Sequence, residues 1–273
     1  MAAPDADRIK AALRDDARQL VDAVHAFGEI DSTNNFLRDQ PPPKAGRAAA
    51  AVADHQTAGR GRNERKWLSA PDKSLCLSVA YSFADEPVQL PPLTLAAGVG
   101  VVRALGHFGV HDVKLKWPND LVLDDGKLGG ILTEAQMRPG GRVTVVIGVG
   151  LNLLPAESIE AAVDDSWVQA VTALGGAASS IDRDQLAAEL VNELVDVLRT
   201  YDTHGFEEFT AAFDAIDWLR DRPITVSLPE GDVDGVAAGI DAEGALQLDA
   251  AGEIRTIVSG TISRVGEAAD TDT

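Results

Sequence analysis

The nine residues GRGRNERKW, from Gly59 to Trp67, gather Arg60, Arg62, Arg65 and Lys66 around a single acid, Glu64. Gly59 and Gly61 allow positive φ and a close backbone approach, and successive N–H groups beside such glycines form an anion-binding nest. Arg60 and Arg62 add forked donors that match carboxylate or phosphate. Trp67 closes the segment with a flat apolar face on which a base can stack. The combination suits a nucleotide carrying its own negative charge. It is not G-x-x-x-x-G-K-[ST], and no segment reads G-x-G-x-x-G, so a P-loop and a Rossmann site are both disfavoured. The plain alternative is a solvated basic loop, or a patch pairing with the chain's own acids.

A second constellation is KWPNDLVLDDGKLGGIL. Lys127 follows an Asp-Gly turn signal, and Gly129 and Gly130 follow it in a strand-like run. Paired glycines weaken a strand and mark a place where a ligand or another backbone passes close. A lysine beside that approach supplies a compact positive charge of the kind that stabilises a phosphoryl transition state. Singly, each residue has a simpler reading. Lys127 can be an exposed turn residue, Asn119 and Asp120 turn formers after Pro118, Ser32 and Thr33 helix caps, and Asn152 the end of a strand.

The elements that must carry these residues are legible from pattern. Residues 7–25 space Ile9, Leu13, Leu20, Val21 and Val24 as one helix. FGEIDSTNNFLRDQ reads as a strand entering a helix near Ser32 or Thr33, RAAAAVADHQ as a strand, and residues 56–73 as a loop without apolar periodicity. LCLSVAYSF is a strand that buries Cys76, and PPLTLAAGVGVVRALGHFG a helix led by proline. A strand and hairpin cover KWPND to LGGIL, and RVTVVIGVGLNLL is a further strand, a candidate edge for pairing between subunits. Helices are expected around 166–175, 182–202 and 205–219. Short strands with Gly-rich turns then predict a small β-barrel from Pro223, ending in a frayed tail. His107 and His111 fall beside Gly106 and Gly109 and read as surface loop rather than as a metal helix.

Composition narrows the partners. The 273 residues hold 24 Lys plus Arg against 43 Asp plus Glu, a net charge of −19, which argues against a general nucleic-acid binder. Five of the seven lysines lie between Lys66 and Lys127, so positive charge is kept where something anionic binds. No run suits a membrane span and the N-terminus is no signal peptide, so a cytoplasmic protein without membrane contact is expected. The acid-rich, lysine-poor surface would also suit a salt-rich interior.

DSTNN, HQTAGRGRNERKW, KWPND, KLGGIL and GVGLNL occur in that order. Together they resemble the biotin–protein ligases, strongly over about 28–155. The resemblance implies an α+β fold: a class II aminoacyl-tRNA synthetase-like catalytic domain with a mixed sheet (28–220), then an SH3-like β-barrel (221–266). A short helical extension (1–27) and a flexible tail (267–273) would flank them. It implies two steps, formation of biotinoyl-5′-AMP from biotin and ATP with Mg²⁺, then transfer to a lysine of a carboxylase's biotin carboxyl carrier domain.

By the same resemblance, Ser32, Thr33, Asn34, Gln56, Gly59, Gly129 and Gly130 contact biotin, and Lys127 and Arg60 are catalytic and touch both substrates. Gly61, Arg62, Trp67 and Asn152 contact the adenylate, with Trp117, Asn119 and Asp120 in support. No metal ligand is assigned.

The family loop usually reads G-R-G-R-x-G-R-x-W, and Glu64 stands at its third glycine, where positive φ is harder and the added charge lies near phosphate. Residues 1–27 are too few for the DNA-binding domain that some members carry, so no operator binding is expected; a homodimer is possible. The Arg-Arg-x-Ser-Gly-Gly-Gly signature of lipoate–protein ligases, the nearest rival, is absent. The net charge counts against the other rival, an RNA-binding protein.

Overall fold

The computed structural model describes residues 3–83, 91–137, 143–160, 170–176 and 181–266. Its larger layer is a seven-stranded mixed sheet in the order β1-β2-β3-β7-β6-β5-β4. The strands are β1 (Val21–Ile30), β2 (Arg47–Gln56), β3 (Ser74–Ser82), β4 (Lys114–Lys116), β5 (Asp120–Leu123), β6 (Gly126–Met137) and β7 (Val143–Asn152). Among the described strands of this sheet, β1 and β2 run parallel and the other strand pairs are antiparallel. Strand β3 is buried along its whole length, and its alternation sorts side chains between two faces. Leu75, Leu77, Val79 and Tyr81 enter the main core with helices α4 (Leu93–Gly106) and α6 (Arg183–His204). Ala80 faces the other way, toward the short helix α3 (Thr33–Asp39), and Ser78 on that face reaches its first turn.

The helix expected over 7–25 is instead α1 (Ala6–Ala12), α2 (Asp15–Leu20) and the start of β1. Asp5 caps α1 by accepting from the N–H groups of Asp7 and Arg8. The chain turns extended at Leu13 and Arg14, because Arg14 is pinned to α6. Its N–H donates to Asn192, and its guanidinium pairs with Glu189 at 3.2 Å, Glu193 at 3.1 Å and Asp196. From Val21 onward the backbone pairs with β2, so tertiary pairing overrides the helical spacing of Val21 and Val24. His107 caps the end of α4 and lies 2.7 Å from Glu189, whose carboxylate Arg14 also engages.

The strand proposed for pairing between subunits, RVTVVIGVGLNLL, contains β7. It lies inside the sheet with β3 on one edge and β6 on the other, so no edge is open. The helix expected around 166–175 lies partly outside the described residues. Its described part runs non-helically from 170 to 174, where Val171 bridges Lys127. One turn of helix, α5 (Glu157–Glu160), follows β7, and residues 205–219 hold one short α-helix, α7 (Thr210–Asp214), after a single 3₁₀ turn. The frayed tail lies outside the described residues.

A small antiparallel sheet follows: β8 (Pro223–Leu228), β9 (Gly231–Ile240), β10 (Leu246–Ala250), β11 (Glu253–Ile257) and β12 (Thr261–Val265), in the order β11-β10-β9-β8-β12. The two sheets are tied together where they meet. Trp117 donates its indole N–H to the Gly244 carbonyl, and Leu115 exchanges backbone hydrogen bonds with Ile216 and Trp218. Asp217 is buried in this junction, with one carboxylate oxygen lacking a hydrogen-bond partner among the described residues. Burial pushes its carboxyl up from 3.8 to about 6.

A carboxyl raised by folding favours the protonated native state, so this residue's contribution to stability falls as pH rises from about 4 to 6, then levels off. Asp217→Asn is therefore expected to stabilise the chain at pH 7.5 by about 2 to 3 kcal/mol. It should also flatten the dependence between pH 4 and 6, read from urea midpoints across that range.

Candidate active site

The site is a cavity of about 410 Å³ walled by the first turn of α3, the basic loop, the β4–β5 turn, the middles of β6 and β7, and Gly260, Thr261 and Ile262 of the small sheet. At one end stand Ser32, Thr33, Asn34 and Gln56. The Ser32 hydroxyl caps α3 by accepting from the Asn35 N–H. Neighbours that can play only one role fix the orientation of both amides. The Thr33 N–H can only donate, so Gln56 presents its oxygen to it at 2.7 Å and turns its NH₂ away. The carboxylate of Glu134 can only accept, so Asn34 turns its NH₂ there at 2.9 Å and its oxygen to the Ser78 hydroxyl at 2.6 Å.

Glycines in β7 make room for these groups. A side chain on Gly148 would enter the Asn34 amide, and one on Gly150 the indole of Trp67. Gly129 is required differently, since a Cβ there would strike the Gly150 carbonyl across the sheet. Gly130 lines the cavity, where an added Cβ would come into van der Waals contact with Trp67 and Lys127.

The remaining charged lining is cationic. Arg62, Arg65, Lys66, Lys116 and Lys127 line the cavity, with Asp120 the one acid among its described lining residues, and Arg60 reaches the amides, its Nη2 sharing Glu134 Oε2 with the Asn34 NH₂. Lys127 Nζ lies 2.7 Å from Asp120 Oδ1. Burial pushes the Lys116 ammonium down to about 8; Asp120 opposes the shift, and Lys127 and Arg65 add to it. Burial likewise lowers Arg62, which has no ion pair among the described residues. Arg60 pairs with Glu134 at 2.7 Å.

The basic loop is ordered by its own hydrogen bonds. The Gln56 N–H donates to the Ser69 hydroxyl, Trp67 N–H to the Gly59 carbonyl, and Gly61 N–H to the Arg65 carbonyl. The strands approach so closely at Gly59 that a Cβ would meet the Trp67 carbonyl at 2.6 Å. At the tip Asn63 and Glu64 both take positive φ, at 53° and 60°. Glu64 thus adopts the left-handed backbone that a glycine would take without strain, and adds an exposed carboxylate to the loop between the lining residues Asn63 and Arg65. Glu64→Gly is expected to lower the KM for ATP about threefold at low ionic strength, with the gap closing at molar salt. Initial rates at two salt concentrations check it.

Most residues singled out in the sequence meet here: Ser32, Thr33, Asn34, Gln56, Arg60, Gly61, Arg62, Trp67, Trp117, Asn119, Asp120, Lys127 and Gly130 all line the cavity. Gly59, Gly129 and Asn152 are not lining residues. Asn152 sits behind the wall, its NH₂ donating to the carbonyls of Thr172 and Lys127 at 3.1 and 3.4 Å, and its buried oxygen has no partner among the described residues. Ser78 and Glu134 were not anticipated, and Lys116, Gly148 and Gly150, though inside the motifs KWPND and GVGLNL, were given no role of their own. The alternating glycines of IGVG were the available signal for the last two.

Residues 27–152 match the Biotin/lipoate A/B protein ligase family, and residues 221–265 the biotin protein ligase C-terminal domain. The bifunctional ligase/repressor BirA of Escherichia coli is 35% identical over 242 residues, covering 88% of this chain and 74% of that protein. The biotin–[acetyl-CoA-carboxylase] ligase of Mycobacterium tuberculosis is 33% identical over 273 residues, covering 94% and 98%. The solved biotin protein ligase from Aquifex aeolicus, in complex with biotin and ATP, superposes with a TM-score of 0.70 at 26% identity, covering 87% of this chain and 96% of that one. With both parts of the fold matched in order and the relatives covered over most of their length, the chain belongs to the biotin protein ligase family.

Proposed function

We propose that this cavity activates biotin with ATP to biotinoyl-5′-AMP, and that the biotinyl group then passes to a lysine of a biotin carboxyl carrier domain. The observation that carries the residue assignment is the division of one cavity into a neutral end of fixed amides and a cationic remainder. A ureido ring offers one carbonyl and two N–H groups. The NH₂ of Gln56 faces away from Thr33 and serves the carbonyl, and the hydroxyls of Ser32 and Thr33 serve the N–H groups. A pocket that satisfies all of these rejects analogues lacking them. The valerate chain then runs along Gly130 toward Lys127 and Arg60.

Adenylation brings two anions together, the biotin carboxylate and the α-phosphate of ATP. Arg62 and Lys127 lower their repulsion and hold them for in-line attack. As the carboxylate oxygen bonds to phosphorus and pyrophosphate leaves, the ammonium of Lys127 meets the rising charge. Lys116 and Arg65 extend that field toward the departing pyrophosphate. ATP enters with Mg²⁺. The only lining acid described, Asp120, is already paired with Lys127, so side-chain cations are the main partners of the phosphates. Trp67 covers the adenylate, Asn152 holds the Lys127 and Thr172 backbone in place behind the wall, and the basic loop keeps water from the mixed anhydride. In the second step the carrier's uncharged amine attacks the acyl carbon and AMP leaves.

We assign the main sheet and its helices to the catalytic domain, from Val21 rather than residue 28 because β1 is part of that sheet, and residues 221–266 to the C-terminal unit that supplies Gly260–Ile262 to the wall. The test is biotin-dependent exchange of labelled pyrophosphate into ATP, with lipoate as control. Exchange with biotin alone is the expected result; exchange with lipoate, or with neither acid, overturns the reading.

A further inference from the structure

Glu134 has no part in the reaction above, yet three separate parts of the site converge on it. One carboxylate oxygen accepts from Asn34 at 2.9 Å and from Arg60 at 2.7 Å; the other accepts from Arg38 at 3.0 Å. Asn34 and Arg38 stand one turn apart on α3, Arg60 belongs to the basic loop, and Glu134 itself sits in β6. We propose that Glu134 is a positioning residue that latches the basic loop to the helix reading the ureido ring, so that filling the pocket and docking the loop become one coupled event. This rests on the assignment of that end of the cavity to biotin.

The chemistry demands a carboxylate. Three donors meet two oxygens, and only an acceptor-only group satisfies them all. Glutamine has the same shape but no charge, so the bond from Arg60 loses its charge assistance in either orientation, and the NH₂ faces a donor on one side, Arg38 or the Asn34–Arg60 pair. The latch leaves the site competent, because Arg60 spends one of its five N–H donors on Glu134 and keeps the rest for a ligand. It also divides the labour of the loop: Arg60 fixes the loop to the sheet, whereas Arg62, half-buried without an ion pair among the described residues, meets the incoming phosphate. The Asn34 oxygen continues the connection through Ser78, whose hydroxyl lies 2.7 Å from that of Thr33, and so to Gln56.

Limited trypsin digestion reads the latch directly, since the loop offers Arg60, Arg62, Arg65 and Lys66 as cleavage sites. Without ligand, the loop of Glu134→Gln is expected to be cut about tenfold faster than wild type, the scale of one charge-assisted hydrogen bond. Biotin alone should protect the wild-type loop and protect the variant far less. The KM for biotin should rise about tenfold, with that for ATP changing less than about threefold. Ser78→Ala, which disturbs Asn34 without touching Arg60, should weaken biotin binding and leave unliganded cleavage at the wild-type rate.

Cleavage of Glu134→Gln at the wild-type rate would overturn the latch. So would an equal rise in both KM values, or a Ser78→Ala loop cut as fast as that of Glu134→Gln. The comparison of unliganded chains needs no catalysis, so it separates failure of the latch from failure of the assigned reaction.

Discussion

Lys127→Ala is expected to lower kcat for biotin-dependent pyrophosphate exchange by about 10²- to 10³-fold, the usual consequence of removing a preorganised charge from a developing anion. The loss should reach the upper part of that range because of what the substitution leaves behind. Lys127 Nζ sits 2.7 Å from Asp120, so removing the ammonium exposes an unpaired carboxylate where negative charge accumulates. Asp120→Asn keeps the ammonium and removes only its partner, so it should cost about tenfold or less. Lys116 cannot substitute for the lost charge: it is buried, and its ammonium, held down to about 8, is partly neutral in the upper range of assay pH. Biotin should still bind Lys127→Ala, because Ser32, Thr33, Asn34 and Gln56, which read the ureido ring, are left in place. Single-turnover adenylation with bound biotin checks the prediction; wild-type turnover would remove Lys127 from the chemistry.

What the sequence disclosed about this site followed chemistry more closely than geometry. Lys127, Arg62 and Trp67 declared themselves by residue type and spacing, and all three line the cavity. Glu134 did not, because an acid in the strand GKLGGILTEAQM looks like a solvent-facing residue until α3 and the basic loop are folded over it. Lys116 was equally opaque, since its burial comes from the β4–β5 turn and Trp218 of the junction, 102 residues onward by their numbers, which lies 5.7 Å from its Nζ.

The fold was legible where a strand alternates, as in β3, and where a cap marks a helix start, as at Ser32. It was misread at Val21–His25, where one apolar run satisfies both a helix and a strand and only pairing with β2 decides. The edge status of β7 had the same cause: strand order is a property of the sheet, and Gly129–Leu151 pairing is invisible along the chain.

The largest expected effect on stability lies beneath the basic loop rather than in it. Arg183, at the start of α6, is 7% exposed and bonds to both the Asp54 carboxylate and the Ser74 carbonyl. The Asp54 carboxylate in turn accepts from the Asp72 N–H at 2.9 and 3.1 Å, joining the strand before the loop to the chain after it. Arg183→Leu strands that carboxylate in a buried setting and should cost roughly 3 to 5 kcal/mol, a large share of the roughly 5 to 15 kcal/mol that holds a domain folded. Replacing both partners, as Asp54→Leu with Arg183→Leu, removes the stranded charge and should recover much of the loss. It cannot recover all, because the Asp72 N–H and the Ser74 carbonyl remain without their partners, at about 1 kcal/mol or more each. The double variant should therefore fold with an intermediate urea midpoint and still turn over slowly, since the base of the loop stays loosened. A single-variant loss below 1 kcal/mol would mean that water replaces the guanidinium and that the pair does not anchor the loop.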